Sequence, residues 1–432
     1  MNPSMLCRAP IFAAALLSSA HTFSAGFQIS EQSVTGLGRA FAGAGLSGEG
    51  ISDQFFNPAG LDLSTGSELE VGVHFLETSA RFENQGSTVT LASPSGSITF
   101  PAIGTNANGG DSAIVPNIYL AGDLNENLRY GLGINAPFGL VTDYDDSWVG
   151  RYAALKSELT TVEITPSVSY ALGNNAVGVG LILLHADAKL TNAQFTGPAT
   201  PDAHVRLEGN DTAVGYTMGI MGENNYGRIG LSLRSRMKID INGSLSISPL
   251  GVSSGASASI TLPRTIYLSG MLKAKPNLDF MGTLRFTDWE KFRELRVSFD
   301  NGMPDSVTPE NWSSTIMTSI GVVYRSSDKW TWRGGIAYDE VAVDDTDRTA
   351  RIPDADRYWL SLGGSYRVSR KMRVDLGYAH IFTDDVPLNQ TTNLVATAPG
   401  TATSNLKGKY PDSDAYIFSI ALSIALGKTG SL

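Results

Sequence analysis

Apolar residues recur at every second position along most of this chain, and that rhythm commits it to β-sheet. In the run 416–425, Tyr416, Phe418, Ile420, Leu422 and Ile424 are large and apolar, and the positions between them are mostly small. Thr161, Glu163, Thr165, Ser167 and Ser169 likewise interleave with Val162, Ile164, Pro166, Val168 and Tyr170. Further on, Arg228, Ser232, Arg234, Arg236 and Lys238 alternate with Ile229, Leu231, Leu233, Met237 and Ile239. A soluble sandwich would have to bury all those cations on one strand face, at a heavy desolvation cost. A water-filled or ligand-lined lumen tolerates them.

Such segments begin near Ser67, Ile114, Leu128, Lys156, Asn175, His204, Gly227, Ser257, Asn277, Trp312, Lys329, Ala355, Lys371 and Asp412. The count is about fourteen, and even, as a bacterial single-chain barrel requires. Their connections alternate in length. Short turns, such as Asn125-Glu126-Asn127, Gly173-Asn174-Asn175 and Lys275-Pro276-Asn277, take turns with the long polar stretches 83–113, 138–155, 195–203, 240–256, 301–311, 341–354 and 387–411. Short turns on one side and long loops on the other predict an all-β, 14-stranded antiparallel transmembrane barrel of up-and-down order. Closing the sheet removes the unpaired edges that hydrocarbon cannot satisfy. A mean hydropathy near zero suits a wall with one face in lipid and the other in water. Tyr119, Trp289, Trp330, Trp332, Tyr338, Tyr358, Trp359 and Phe382 fall near strand ends, where interfacial girdles are expected.

Ahead of the strands, residues 25–60 are too glycine-rich and irregular for a strand or a stable helix, which suggests something placed inside the barrel. Earlier still come one cation, Arg8, the apolar run 11–17, and small residues around Thr22 and Ser24, the pattern of a secretory signal cleaved before Ala25. The expected division is therefore signal peptide 1–24, N-terminal hatch 25–66 and barrel 67–432. Cys7 is the only cysteine and leaves with the signal, so a closed sheet or a large core must supply stability without disulfides. A net charge of −10 argues against nucleic acid as a partner.

Chemical motifs are weak. Gly251-Val252-Ser253-Ser254-Gly255 spells a nucleophile elbow but sits in a Ser/Gly/Ala-rich stretch without the required helix. Gly427-Lys428-Thr429 lacks the upstream glycine of a phosphate loop, and the five histidines show no zinc spacing, so no cofactor, metal or catalytic residue is expected. Acidic runs at Asp143, Asp145 and Asp146, at Asp344, Asp345 and Asp347, and at Asp384 and Asp385 read as solvated loops, with divalent-cation binding as the sharper alternative. The stretch Asn135, Ala136, Pro137, Phe138, Gly139 contains a residue that cannot donate to a ladder and one that weakens pairing. It either kinks the wall or merely ends the third strand.

Ala25-Gly26-Phe27-Gln28, Gly36-Leu37-Gly38-Arg39-Ala40, Asn57-Pro58-Ala59, Pro137-Phe138-Gly139-Leu140 and the IPDADRYWLS stretch at 352–361 resemble the FadL family of outer-membrane transporters for long-chain fatty acids and other hydrophobic compounds. The resemblance implies a barrel plugged by a hatch, with Gly36, Gly38, Arg39, Asn57, Pro58 and Ala59 in the hatch and Phe27 at an inner ligand pocket. It also implies a functional kink at 135–139, beside which the ligand leaves laterally. The basic residues that the fatty-acid type carries on its fifth and tenth strands align here with Asn192 and Ser313. A carboxylate would then have to meet inward-facing Lys189, Arg234 or Arg236, since a buried anion needs a partner. Otherwise the ligand is an uncharged aromatic hydrocarbon; a general porin is the remote alternative. A passive monomer is expected in the outer membrane of a Gram-negative bacterium, with hydrophobic ligand, lipid and lipopolysaccharide as partners.

Overall fold

The first and last barrel strands, Glu68–Thr78 and Ala415–Ala425, pair antiparallel along their full length, so the sheet closes on itself. The computed structural model describes residues 26–93, 95–197, 200–394, 401–411 and 413–427. Between those two strands run Ser112–Asp123, a third strand in two pieces (Leu128–Asn135 and Gly139–Asp143), Lys156–Leu172, Asn175–Gln194 and Ala203–Asn224. The seventh is Gly227–Arg234 continued by Met237–Ser248, and the eighth Val252–Leu262 continued by Arg264–Lys275. Leu278–Asp288, Thr315–Arg325, Trp330–Asp339, Arg357–Ser369 and Met372–Thr383 complete an antiparallel barrel of 14 strands. Lys156, Asn175, Gly227 and Leu128 start strands where the sequence rhythm places them. The signal segment with its cleavage site, Cys7 and residues 428–432 lie outside the described residues.

Alternation sorts the two faces. Thr161, Glu163, Ser167 and Ser169 point into the lumen and are buried, whereas Ile164, Val168 and Tyr170 face outward. Trp330 and Trp332 stack on the outer surface beside the short turn at Ser326–Lys329, and Tyr338, Tyr358 and Phe382 lie exposed toward the other end. Six residues separate Trp332 from Tyr338, about 20 Å of strand, close to the ~25 Å apolar band of an outer-membrane wall. The remaining aromatics of the expected girdle, Tyr119, Trp289 and Trp359, are buried inside instead.

Two expectations are corrected. The stretch 240–256 is not a loop: the hairpin Met237–Ser248/Val252–Leu262 carries the seventh and eighth strands well past it, and Ser253 lies in a strand. Likewise 83–113 and 387–411 contain strands of a second, outer sheet, built from Arg81–Asn84, Thr88–Ser93, Gly96–Pro101, Ala107–Asn108, Val386–Asn393 and Ala402–Tyr410. This sheet packs over its own apolar cluster, in which Tyr144 stacks on Trp148 at 4.0 Å and bonds the Tyr410 hydroxyl at 2.9 Å.

The hatch fills the lumen. Ser33 caps the short helix Val34–Leu37 through its hydroxyl, and the helix Asp53–Phe56 leads into the 3-10 turn Pro58–Leu63. The first helix lies against the twelfth and thirteenth strands, and the 3-10 turn lies against the fourth, fifth and sixth. Gly38 approaches Gly363 so closely that a β-carbon at Gly38 would sit 2.8 Å from the Gly363 Cα. Only glycine on both sides permits that contact.

Candidate functional site

Arg39 is completely buried at the centre of the hatch. Its Nε donates to the Ala42 carbonyl at 2.7 Å, and its guanidinium reaches Glu49 at 3.3 Å and Asp53 at 3.4 Å. Glu49 in turn accepts a two-pronged bond from Arg333 of the wall at 2.8 and 2.9 Å. Such forked pairs fix geometry as well as charge. Asn57 caps the following turn by accepting from the Ala59 amide at 2.9 Å, while its amide nitrogen donates to the Ile220 carbonyl of the wall at 3.2 Å. Gly36, Gly38, Arg39, Asn57, Pro58 and Ala59 thus all sit in the buried body of the plug.

The hatch tip meets the wall differently. The third strand stops at Asn135 and resumes at Gly139, and its partners on the fourth strand are Glu163 and Thr160. Four steps on one side face three on the other, so the third strand carries one surplus residue. Its pairing with the second strand ends at Ile118↔Ile134, and residues 112–117 have no ladder partner on that side among the described residues. The wall therefore has a gap. Hatch backbone occupies the kink: Ile29 donates to the Pro137 carbonyl at 2.8 Å, Gly139 to the Phe27 carbonyl at 2.9 Å, and the Gln32 side chain to the Ala136 carbonyl at 2.8 Å. Thr161 completes the set, its hydroxyl donating to the Phe138 carbonyl at 2.6 Å and accepting from the Phe138 amide at 3.0 Å. Every polar backbone group freed by the kink that is named here finds a partner, as burial demands.

Phe27 lies in a cage of rings, with centroids of Trp289, Phe292, Trp312 and Phe138 at 4.7, 5.6, 5.6 and 6.2 Å. The cage opens into an apolar cavity lined also by Leu140, Leu159, Ile241, Ile260 and Ile352. The tip is tethered from above as well, where Asp354 of the 352–361 stretch accepts from the Gly26 amide at 2.8 Å and pairs with Arg357.

A closed barrel, a plug inside it and a gap beside the plug describe an architecture. Residues 15–425 match the model of the outer membrane protein transport proteins, OMPP1/FadL/TodX. The chain belongs to this family. The long-chain fatty acid transport protein of Escherichia coli O6:H1 is 26% identical over 427 residues, covering 90% of this chain and 93% of its own. The crystal structure of a Pseudomonas aeruginosa FadL homologue matches with a TM-score of 0.82 at 21% identity, over 93% of this chain and 100% of that one. The Pseudomonas putida toluene transporter TodX matches at 0.65 and 13% identity, again over 93% and 100%. The family's members are transport proteins rather than enzymes, and the protein is a Gram-negative outer-membrane barrel.

In this FadL-family barrel the three expected head-group cations do not converge. Lys189 points outward, because Leu184 and Ala186 of the same strand point in; its cross-strand neighbours are Glu158 and Glu208. Arg234 is buried but already grips Glu163 at 2.6 and 2.7 Å and donates to the Phe55 carbonyl at 3.2 Å. It anchors the hatch. Arg236 pairs with Asp288 at the break in the seventh strand, where Ser235 and Arg236 interrupt the alternation. Beyond that break Met237 and Ile239 turn inward and Lys238 outward to Asp240, so the run of cations does not share one face. The acidic runs are spent locally: Asp143 pairs with Lys156 at 3.3 Å, Asp345 with Arg348 and Asp385 with Lys409 at 3.4 Å. Among the described residues no three acidic, histidine or cysteine side chains gather as a metal site. What sequence reading missed is Trp289, Phe292 and Trp312 around Phe27, and the polar pair Glu310 and Arg351 at the cavity wall; no fixed spacing marks them, since they come from separate loops.

Proposed function

We propose that the protein takes long-chain fatty acids, or hydrophobic molecules of similar shape, passively through the outer membrane. They are caught among the outer loops, pass to the apolar cavity at Phe27, and leave sideways through the gap beside the third strand. The observation that carries this reading is that one segment, residues 27–32, closes both the cavity and the gap. Phe27 plugs the first with its ring, and the backbone beside it occupies the second. A ligand that displaces Phe27 replaces one apolar surface with another, at ~25 cal/mol per Å² for each, so the exchange is close to neutral. Moving Phe27 also withdraws the carbonyl that Gly139 uses. Capture and opening then become one event, without an energy source.

Long-chain fatty acid transport by the E. coli relative supports a fatty-acid-like cargo, and toluene transport by TodX keeps uncharged aromatics as a second reading, favoured by the aromatic cage. A general porin fits poorly with a lumen filled by a buried plug. The barrel is proposed to work as a monomer, its aromatic rims in lipid and its charged outer strand ends among lipopolysaccharide. The test is uptake of labelled oleate by cells carrying Pro137→Ala with Ala136→Leu, which straightens and fills the gap. Uptake is expected to fall while the barrel still inserts, as judged by heat-modifiable migration. Unchanged uptake in an inserted variant removes the lateral exit.

A further inference from the structure

Among the described residues, arginines away from solvent are almost always paired. Arg39, Arg129, Arg151, Arg228, Arg234, Arg264, Arg285, Arg325, Arg333, Arg348, Arg357 and Arg373 each have a carboxylate within 4.0 Å. Among the described arginines that are not solvent-exposed, Arg351 alone has none. It reaches from the outer loop across the fourth and fifth strands, where Nη1 donates to the Lys156 carbonyl at 3.2 Å, the Ser157 hydroxyl at 3.1 Å and the Thr191 carbonyl at 3.3 Å, and Nη2 to Asn192 at 3.4 Å. All these acceptors are neutral. They orient the guanidinium without an ion pair, with one bond at Nη2 and none recorded at Nε, the edge that suits a bidentate carboxylate.

Arg351 lines the apolar cavity, and so do Glu310 and two acids already paired elsewhere, Glu158 with Lys156 and Glu208 with Arg206. Glu310 is buried, takes a bond from the Trp312 indole at 3.0 Å, and has only Arg351 and Asp347 as charged neighbours; Asp347 is itself bonded by Asn311 at 3.3 Å. We infer that Arg351 and Glu310 form the head-group clamp of the cavity, selecting an apolar chain that ends in a carboxylate over its uncharged counterpart. This rests on the transport reading above and names its substrate class. Burial raises the Glu310 carboxyl from its ordinary value of 4.5 to about 8, against the lowering influence of the Trp312 bond and Arg351. At neutral pH the pair therefore carries one net positive charge, and the acid proton is a second donor for the ligand.

The test uses the full-length protein purified in detergent, with displacement of a fluorescent fatty acid by hexadecanoate, its methyl ester and hexadecane-1-sulfonate. Arg351→Gln should weaken hexadecanoate about 10- to 100-fold, the worth of a charge-assisted hydrogen bond, and leave the ester unchanged. Because Arg351 also ties its loop to the wall, Glu310→Gln supplies an independent arm. Binding of the sulfonate, ionised throughout, should weaken in the natural protein as pH rises through about 8, where Glu310 loses its proton, and should be level with pH in Glu310→Gln. Equal affinity of the natural protein for acid and ester, equal losses for both in Arg351→Gln, or one pH slope in both proteins each overturns the clamp. If none of the three ligands displaces the probe, the transport reading itself falls.

Discussion

The body of the hatch and its tip touch the same barrel by opposite chemistries. The body, around Arg39, Glu49 and Asp53, is locked by buried ion pairs whose charges are stranded if the contact opens. The tip, 26–32, rests in aromatic rings, on backbone hydrogen bonds and on single side-chain bonds, such as Gly26 to Asp354 and Arg285 to Ser30, in place of forked ion pairs. Ion pairs in a dry lumen give a contact that is either made or ruinous to break. Ring packing can be handed from Phe27 to any apolar guest. A plug that stays put while its end moves, as proposed above, needs this division.

The comparison breaks most readily at Arg333. Arg333→Met leaves Glu49 with only the long contact to Arg39, and one stranded buried charge costs about 3–5 kcal/mol. The expected result is a loosened body, read as faster amide exchange across 39–57 and as ion conductance in planar bilayers. At the tip, Phe27→Ala empties the ring cage, a loss of about 3 kcal/mol by core-truncation standards. Here only the tip should exchange faster, and conductance should stay closed; conductance as high as in Arg333→Met would erase the distinction. Asn57→Ala removes a cap and one wall contact, about 1 kcal/mol. It should soften the 58–63 turn without releasing residues 34–37.

The remaining test falls on Glu310, which belongs to neither part of the hatch. In the fold this carboxyl stays protonated up to about 8, while in the unfolded chain it ionises near 4.5. The native state thus binds an extra proton between those values. Its contribution is fully present below the unfolded value and is lost as pH rises through the folded one. Thermal stability of the natural protein should decline relative to Glu310→Gln across that window and level off above it. A flat response would place Glu310 in water, and a reversed slope would place it in an ion pair.

The barrel was legible because lipid on one face and a polar lumen on the other force strict alternation, and turns such as Gly173-Asn174 announce themselves. Strand starts at Lys156 and Asn175 follow directly. Alternation misleads where it is interrupted by backbone rather than by side chains: Ser235 and Arg236 flip the seventh strand, and nothing in their composition says so. Lys189 fails for a related reason, because above the lipid band an outward position meets water and needs no apolar residue. The tip and kink were recognisable from resemblance alone. Arg351 and Glu310 were not, since a clamp assembled from separate loops leaves no period and no spacing. Polar runs such as 83–113 looked like loops because outer strands have water, not lipid, on their far side.

The surplus residue in the third strand behaves like a dislocation in a crystal. A row with one unit too many cannot be annealed by rocking its neighbours; the mismatch between 135–139 and 160–163 can only slide along or stay. Pro137 and the Thr161 hydroxyl pin it where it is. On the lateral-exit reading proposed above, the barrel wall never has to deform between two shapes. Whether the opening is shut would then depend on whether a seven-residue tongue lies in the slot, a matter of local exchange rather than of strain in fourteen strands.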